Sequence, residues 1–316
     1  MLNLYYSFTA VKSPFNFICL ITYILSLTLC WITYKPVLAW LFMEISIFIL
    51  LGFGVSLISH YSKISLYTYY LFQSVLSLLL LLTIIMLKTK HLEFWCLFLI
   101  PLTIIIKLGV WPINHWYLTC IYTQPRILFV IILTLHKLPV FNLFVIYTNY
   151  IRTSLNFGVL LIFMVMLVLN LLISSLIILR ASEIKSLILY SSLGSSSWVL
   201  ISLASSGLIF WTFYFLYSLL VFLLVNNINL TNLNFRVHNY ILTIYLFVIA
   251  GLPPLPIFFI KLIIIWSVYQ IAPLGLYLPL FLILIRLSSL LAAFSYLRFA
   301  FISLINTYDY FLHYLT

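Results

Sequence analysis

The sequence predicts an all-α, polytopic membrane protein of about ten spanning helices, some of them discontinuous. Of its 316 residues, 66% are apolar and only 6% are Asp, Glu, Lys or Arg. A soluble domain carries about 25% charged residues, so this chain cannot keep its surface in water. The mean hydropathy of +1.27 agrees. The apolar residues recur in runs of about twenty, which is the length that a spanning helix needs.

Ten apolar runs, bounded by charges, prolines or polar clusters, are predicted to span the membrane. In chain order they are residues 15–34, 37–59, 64–87, 94–111, 126–147, 156–179, 186–203, 207–225, 240–266 and 273–298. We expect interruptions in the fourth or fifth run and in the ninth. A polar connection covers 114–125, and residues 299–316 are too broken for another span. Residues 1–316 are predicted to form a single integral membrane domain.

The distribution of basic residues predicts the orientation. Seven lie on the N-terminal side of ten spans, namely Lys12, Lys63, Arg126, Arg180, Lys185, Arg236 and Arg298. Four lie on the opposite side, namely Lys35, Lys88, Lys90 and Arg152. The positive-inside rule therefore places the N-terminus in the cytoplasm, or in the matrix of a mitochondrion. Because the basic residues are scattered singly, the net charge of +11 does not indicate nucleic-acid binding.

Nothing in the sequence indicates a metal, a nucleotide or a haem. The four cysteines lie in or beside apolar runs without Cys-x-x-Cys spacing, so we expect small buried hydrophobes. No two histidines have the spacing of paired ligands on a helix. The chain also has no glycine-rich phosphate loop, no G-x-G-x-x-G and no nucleophile elbow. We therefore expect any redox chemistry to take place in another chain.

Five charged residues fall inside predicted spans, where a charge is unfavourable by several kcal/mol unless it faces protein or water. They are Glu44, Lys107, Lys137, Lys261 and Arg286. Such residues are functional candidates, although a lysine near a helix end can extend to the headgroups. For Arg286 we expect a structural or lipid-facing role.

Each of the three lysines lies near proline, which breaks a helix and frees backbone carbonyls. The pairs are Lys107 with Pro112, Lys137 with Pro139, and Lys261 with Pro253, Pro254 and Pro256. A broken helix beside a lysine predicts a hydrated pocket at membrane depth. Lys261 is about 10 Å along a helix from Pro254, so we expect it to lie inside the bilayer and away from the break.

Lysine suits proton transfer at such a place. Burial away from water disfavours the charged form of a lysine, and a nearby carboxylate favours it. Moving a carboxylate relative to a lysine therefore changes how tightly the lysine holds its proton. Glu44 is the only carboxylate deep in a predicted span, so it is the natural partner, but spacing alone does not say which lysine it meets. His136, next to Lys137, is a possible further relay.

Five motifs occur in order along the chain. They are WLFME at 40–44, KLGVWPINHW at 107–116, TLHKLP at 134–139, LYSS at 189–192, and GLPP at 251–254 with Phe258 and Lys261. Together they resemble the motifs of subunit 2 of respiratory complex I, one of the antiporter-like membrane chains of NADH:ubiquinone oxidoreductase. The resemblance covers residues 37–300. Lys261 favours subunit 2 over its subunit 4 relative, which usually has Glu there. Glu44 on the second span resembles the animal mitochondrial form.

The resemblance implies roles and surroundings. Glu44 and Lys107 would form a buried pair, Lys137 would be the central relay, and Lys261 would be the terminal proton donor. The chain would lie in the mitochondrial inner membrane beside other membrane-arm subunits, including the subunit 4 and 4L relatives, and beside lipids such as cardiolipin. NADH, FMN, iron–sulfur clusters and ubiquinone would bind other subunits, leaving no cofactor in this chain.

Several positions depart from the family pattern while the lysines are retained. The family's His in the first lysine motif falls on Asn114, with His115 one place later. A glutamine becomes His136, and a His-Met-Gly segment becomes Ser195, Ser196 and Ser197. These changes affect the expected details of the proton route.

Two other functions remain open from the sequence. One is a stand-alone sodium–proton antiporter subunit, whose lysines look alike but whose chain is normally longer and more charged. The other is a structural membrane subunit, in which the lysines only bind cardiolipin.

Overall fold

The computed structural model describes residues 14–57, 60–87, 93–154, 157–205, 207–227, 235–253, 255–271 and 278–313. Over these ranges every regular element is helical, which confirms the predicted all-α class. The helices are α1 (Pro14–Ile32), α2 (Pro36–Leu57), α3 (His60–Leu87), α4 (Glu93–Lys107), α5 (His115–Tyr122), α6 (Arg126–Leu133), α7 (Leu138–Ser154), α8 (Phe157–Leu179), α9 (Ile184–Ser205), α10 (Gly207–Asn227), α11 (Phe235–Ala250), α12 (Pro256–Ile271) and α13 (Leu278–His313). A 3₁₀ turn, Leu135–Lys137, lies between α6 and α7.

The helix lengths agree with the predicted spans and their interruptions. Within the described ranges, eight segments are long and apolar enough to cross a membrane. They correspond to the predicted runs other than the fourth and the ninth. The fourth run is the 15-residue helix α4, the fifth is interrupted by the 3₁₀ turn between α6 and α7, and the ninth is divided into the 16-residue helices α11 and α12. The predicted discontinuous helices are therefore confirmed.

The structure differs from the sequence prediction in one connection and in the C-terminal segment. The polar stretch 114–125 contains the short helix α5, whose Trp116 and Tyr117 are buried. Residues 299–313 are not broken but continue α13, because no glycine or proline follows Pro279 to end the helix. Periodicity in mixed polar and aromatic segments is a weak signal, and packing decides their conformation.

The chain divides into two compact units, Met1–Met166 and Leu167–Thr316, and the expectation of one membrane domain stays a prediction. In the first unit, α3 packs against α2, α4 and α5, and α7 packs against α1, α2 and α4. The indole of Trp40 on α2 donates a hydrogen bond to the Ser77 carbonyl of α3 at 2.8 Å. Cys30, Cys96 and Cys120 are buried as expected, whereas Cys19 is partly exposed.

In the second unit, α9 is the most enclosed helix, with 94% of its apolar window buried. It packs against α10 and α12, and α11 packs against α13. Asn170 on α8 donates to the hydroxyl of Ser197 at 2.5 Å and to the Leu193 carbonyl at 3.0 Å. A polar helix in such a position needs every hydroxyl to be paired or to face a cavity.

Candidate functional site

Lys107 is the last residue of α4, and the helix ends there in a defined turn. The Gly109 amide donates to the Ile106 carbonyl at 3.0 Å, and the Val110 amide donates to the Ile105 carbonyl at 3.0 Å. This pair of hydrogen bonds, with glycine in the left-handed conformation, is a Schellman motif. The Lys-Leu-Gly sequence thus places a lysine on the last turn of a helix that stops inside the unit.

Gly109 is required by both its backbone and its surroundings. Its φ is +73°, and a Cβ atom there would lie 2.3 Å from the Tyr117 ring. The same ring lies under the ammonium of Lys137, whose Nζ is 5.6 Å from the ring centroid. Tyr117 therefore contacts the turn after Lys107 and also supports the charge of Lys137.

Glu44 on α2 meets Lys107, with 3.7 Å between Oε1 and Nζ. The Lys107 side chain is 0% exposed and that of Glu44 is 14% exposed. Neither of these two atoms has a hydrogen-bond partner among the described residues. Gln73 on α3 donates to the main-chain carbonyl of Lys107 at 3.0 Å, which fixes the helix end. The pair is therefore an ion pair whose separation leaves no direct hydrogen bond.

Lys137 and His136 lie on the 3₁₀ turn and are both buried. The turn follows Thr134, whose hydroxyl donates to the Val130 carbonyl at 2.7 Å. The hydroxyl of Tyr23 lies 3.5 Å from His136 Nδ1, while Nε2 has no partner in the part of the chain that the structure describes. Neither side chain extends to the surface of its unit, so a headgroup-facing role for Lys137 finds no support.

Lys261 is on the second turn of α12, after the interruption that begins at Gly251. Gly251 has a φ of +71°, and a Cβ there would lie 3.3 Å from Lys261 Nζ. The ammonium therefore reaches the break, and the expectation that it lies away from it is wrong. Helical side chains point toward the N-terminus of their helix, which brings the amine back over the preceding turn.

The Lys261 ammonium borders a cavity of about 50 Å³ in the second unit. This volume is large enough to hold water. The Trp198 ring also faces Lys261, with Nζ 5.8 Å from its centroid. The hydroxyl groups that line the cavity belong to Ser174, Ser175, Ser191, Ser195, Ser288, Ser289, Tyr217 and Tyr296. Sequence reasoning missed this cluster, whose one signal is the density of serine in α9 and α13.

The remaining predicted features lie apart from these groups. Arg286 is exposed on α13 and does not line the cavity, and its structural or lipid-facing role stays a prediction. Over the described ranges, no group of His, Cys, Asp or Glu is placed to hold a metal ion. His60, His91, His238 and His313 lie where the structure describes no side chains.

The chain matches the sequence profile of the family described as NADH:quinone oxidoreductase/Mrp antiporter, TM, over residues 33–291. The chain belongs to this family. The matched range contains all three lysine motifs and Glu44, so the resemblance drawn from the motifs is confirmed at the level of the family.

A curated relative and two solved structures agree with this membership. NADH-ubiquinone oxidoreductase chain 2 of Anopheles gambiae is 30% identical over 203 residues, which are 59% of this chain and 57% of the relative. A structure of the Mrp complex from Dietzia sp. DQ12-45-1b matches 86% of this chain and 57% of that chain, with a TM-score of 0.70 and 13% identity. A structure of an archaeal membrane-bound sulfane sulfur reductase matches 87% of this chain and 63% of that chain, with a TM-score of 0.69 and 15% identity. At these identities the two structures show the fold alone.

Proposed function

We propose that this chain is a proton-translocating membrane-arm subunit of respiratory NADH:ubiquinone oxidoreductase. Electron transfer from NADH to ubiquinone takes place in other subunits, and this chain moves protons through buried lysines. The observation that carries the proposal is the Glu44–Lys107 ion pair at the end of an interrupted helix. The relative named as chain 2 of this enzyme supports the choice of complex.

The mechanism follows from the separation of Glu44 and Lys107. A carboxylate near a buried lysine favours the charged lysine, and this attraction weakens with distance. A rearrangement elsewhere in the complex that displaces Glu44 therefore changes the proton affinity of Lys107. The changed proton affinity of Lys107 then alters that of Lys137, with His136 as a further relay. Lys261 releases the proton in the last transfer step.

The proposed setting is the inner mitochondrial membrane, with the N-terminus on the matrix side. The neighbours would be other membrane-arm subunits, including the subunit 4 and 4L relatives, together with lipids such as cardiolipin. NADH, FMN, iron–sulfur clusters and ubiquinone would be bound by those other subunits. The basic-residue asymmetry supports the orientation.

The experiment is proton pumping per electron in the purified complex, reconstituted in vesicles, with Lys261→Ala and Lys261→Arg. Arginine keeps the charge but does not release its proton, so we expect both variants to lose pumping through this chain. Arg286→Ala is the matched control, because it removes a basic residue that is exposed on α13. Unchanged pumping in Lys261→Ala would contradict the proposal and favour a structural subunit.

A second candidate is a stand-alone cation–proton antiporter subunit, which the family description and the Mrp fold match favour. Purification of the tagged chain from mild detergent separates the two functions. Recovery with a peripheral arm that oxidises NADH supports the first proposal. Cation–proton exchange by a chain that purifies without such an arm supports the second.

A further inference from the structure

The serine hydroxyls around Lys261 all have the same orientation. Each donates its proton to the carbonyl three residues earlier on its own helix. The bonds are Ser174 to Leu171, Ser175 to Leu172, Ser191 to Ile188, Ser195 to Ser192, Ser288 to Ile285 and Ser289 to Arg286, at 2.7–3.0 Å. A hydroxyl that has donated its proton retains its acceptor lone pairs. The cavity is therefore lined mainly by hydrogen-bond acceptors.

Lys261 brings the complementary group. A lysine ammonium has three donors and no acceptor, and it needs acceptors when it is removed from bulk water. No carboxylate lines this cavity in the described part of the second unit. The cavity volume of about 50 Å³ leaves room for water between the ammonium and the serine oxygens. Water can accept from Lys261 and donate to the serines at the same time.

Tyr217 on α10 differs from the six serines that line the cavity. Its side chain is 6% exposed, and the hydroxyls of Ser191 and Ser195 lie beside its own hydroxyl. Neither serine meets the distance and angle of a direct hydrogen bond to it among the described residues. Both serines have donated their protons to α9 carbonyls, so their oxygens are acceptors. Water in the cavity can bridge the Tyr217 hydroxyl to these acceptors and so satisfy a buried hydroxyl that has no direct bond.

We propose that Tyr217 is a positioning residue, whose hydroxyl holds water in this cavity against the Lys261 ammonium. In this arrangement a neutral set of hydroxyls and water solvates the terminal lysine, in place of a carboxylate. The inference rests on the proposed function and deepens it. It names the group that keeps Lys261 hydrated inside the second unit.

The titratable side chains that face this cavity are few. Lys261 on α12, Tyr217 on α10 and Tyr296 on α13 line it, and α8, α9 and α11 contribute none. A change in the solvation of Lys261 will therefore appear in the pH dependence of pumping. A change in helix packing alone would alter the yield of the complex without moving that pH profile.

The test is Tyr217→Phe in the assembled complex, which removes one oxygen atom and keeps the ring. Tyr214→Phe is the matched control, since Tyr214 is buried one turn earlier on α10 and does not line the cavity. We expect Tyr217→Phe to lower the pumping rate by about tenfold, which corresponds to one hydrogen bond in a charged network. We also expect a displaced pH profile, while Tyr214→Phe leaves both unchanged.

A high-resolution density map of the complex gives the second readout. We expect ordered water within hydrogen-bonding distance of the Tyr217 hydroxyl, and its loss in Tyr217→Phe. Normal pumping in Tyr217→Phe, with Lys261→Ala inactive, would overturn this inference and leave the proposed function intact. Normal pumping in Lys261→Ala would overturn the proposed function instead. In that case the density map still tests the role of Tyr217, because absence of ordered water at its hydroxyl would overturn the positioning role.

Discussion

Lys107 and Lys261 occupy equivalent local settings in the two units but are stabilised differently. Each is next to a helix interruption that contains a glycine with positive φ, +73° at Gly109 and +71° at Gly251. Lys107 lies 3.7 Å from the carboxylate of Glu44. Lys261 instead faces a cavity lined by hydroxyl groups. A buried ammonium beside a helix interruption can thus be stabilised by an opposite charge, as at Lys107, or by neutral dipoles, as at Lys261.

The difference decides what each lysine responds to. The energy of a charge pair depends on the distance between the two charges, so Lys107 is sensitive to movement of Glu44. A set of neutral hydroxyls acts through many small contributions, so under the proposed function Lys261 would respond to water held in the cavity. Under the proposed function, Lys107 would sense a displacement of Glu44, and Lys261 would exchange a proton with water.

The largest expected effect is on the charge pair. Glu44→Gln leaves the Lys107 ammonium buried without its counter-charge, and breaking a buried pair in this way costs about 3–5 kcal/mol. We expect the free energy of unfolding of the purified chain in detergent to fall by that amount. The double variant Glu44→Gln with Lys107→Met should recover most of the lost free energy of unfolding. A single variant as stable as the unmodified chain would show that the pair is not formed.

The next effect concerns the turn after Lys107. Gly109→Ala introduces a Cβ 2.3 Å from the Tyr117 ring at a positive φ, so strain and overpacking together cost about 3 kcal/mol. The measurement is the midpoint of heat denaturation. Gly52→Ala on α2 is the control, because a Cβ there meets nothing within 4 Å. If the midpoint fell equally in Gly109→Ala and Gly52→Ala, the turn assigned to Gly109 would be wrong.

Gly251→Ala is expected to be milder and to separate stability from function. Its Cβ would lie 3.3 Å from Lys261 Nζ, the end of a flexible side chain that can move. Only the positive φ then remains unfavourable, at about 1–2 kcal/mol. We expect a large loss in the rate of proton pumping but only a small loss in the free energy of unfolding, since the Lys261 ammonium is displaced. A loss of stability as large as that of Gly109→Ala would remove this distinction between the two breaks.

The smallest effect is expected for a single cavity hydroxyl. Ser289→Ala removes one of several acceptors near Lys261, so we expect the free energy of unfolding to change by at most about 1 kcal/mol. Ser303→Ala is the control, because Ser303 on α13 makes the same bond to a carbonyl three residues earlier, at 2.8 Å, without lining the cavity. Pumping should fall slightly only in Ser289→Ala. Complete loss of pumping in Ser289→Ala would mean that this one serine does what is assigned here to all the cavity hydroxyls together.

The sequence predicts most of the fold because the bilayer imposes one length on every spanning helix. Proline and glycine mark the breaks after Lys107 and before Lys261, so the interruptions are also predictable. Helix α5 is missed because its burial depends on aromatic contacts with α3, such as Trp116 with Tyr69 at 5.9 Å. The continuation of α13 is missed because polar residues there obscure a segment that has no helix breaker.

The candidate site is predicted only in part. Charges inside apolar runs identify Glu44 and the lysines, because so few residues of this kind occur there. Which lysine Glu44 meets depends on how α2 packs, and residue spacing does not contain that information. The cavity is missed for a similar reason. Hydroxyls are common in membrane helices, and only the packing of four helices brings those of the second unit together.

The shared ring of Tyr117 has a mechanical consequence. It touches Gly109 on one side and lies under the Lys137 ammonium on the other, so the two breaks of the first unit share a rigid spacer. A flat ring does not compress, and the absence of a side chain at Gly109 leaves no slack between it and the backbone. We therefore expect a shift of the α4 terminus to move the ring and alter the electrostatic field at Lys137, even without a proton passing between the two lysines.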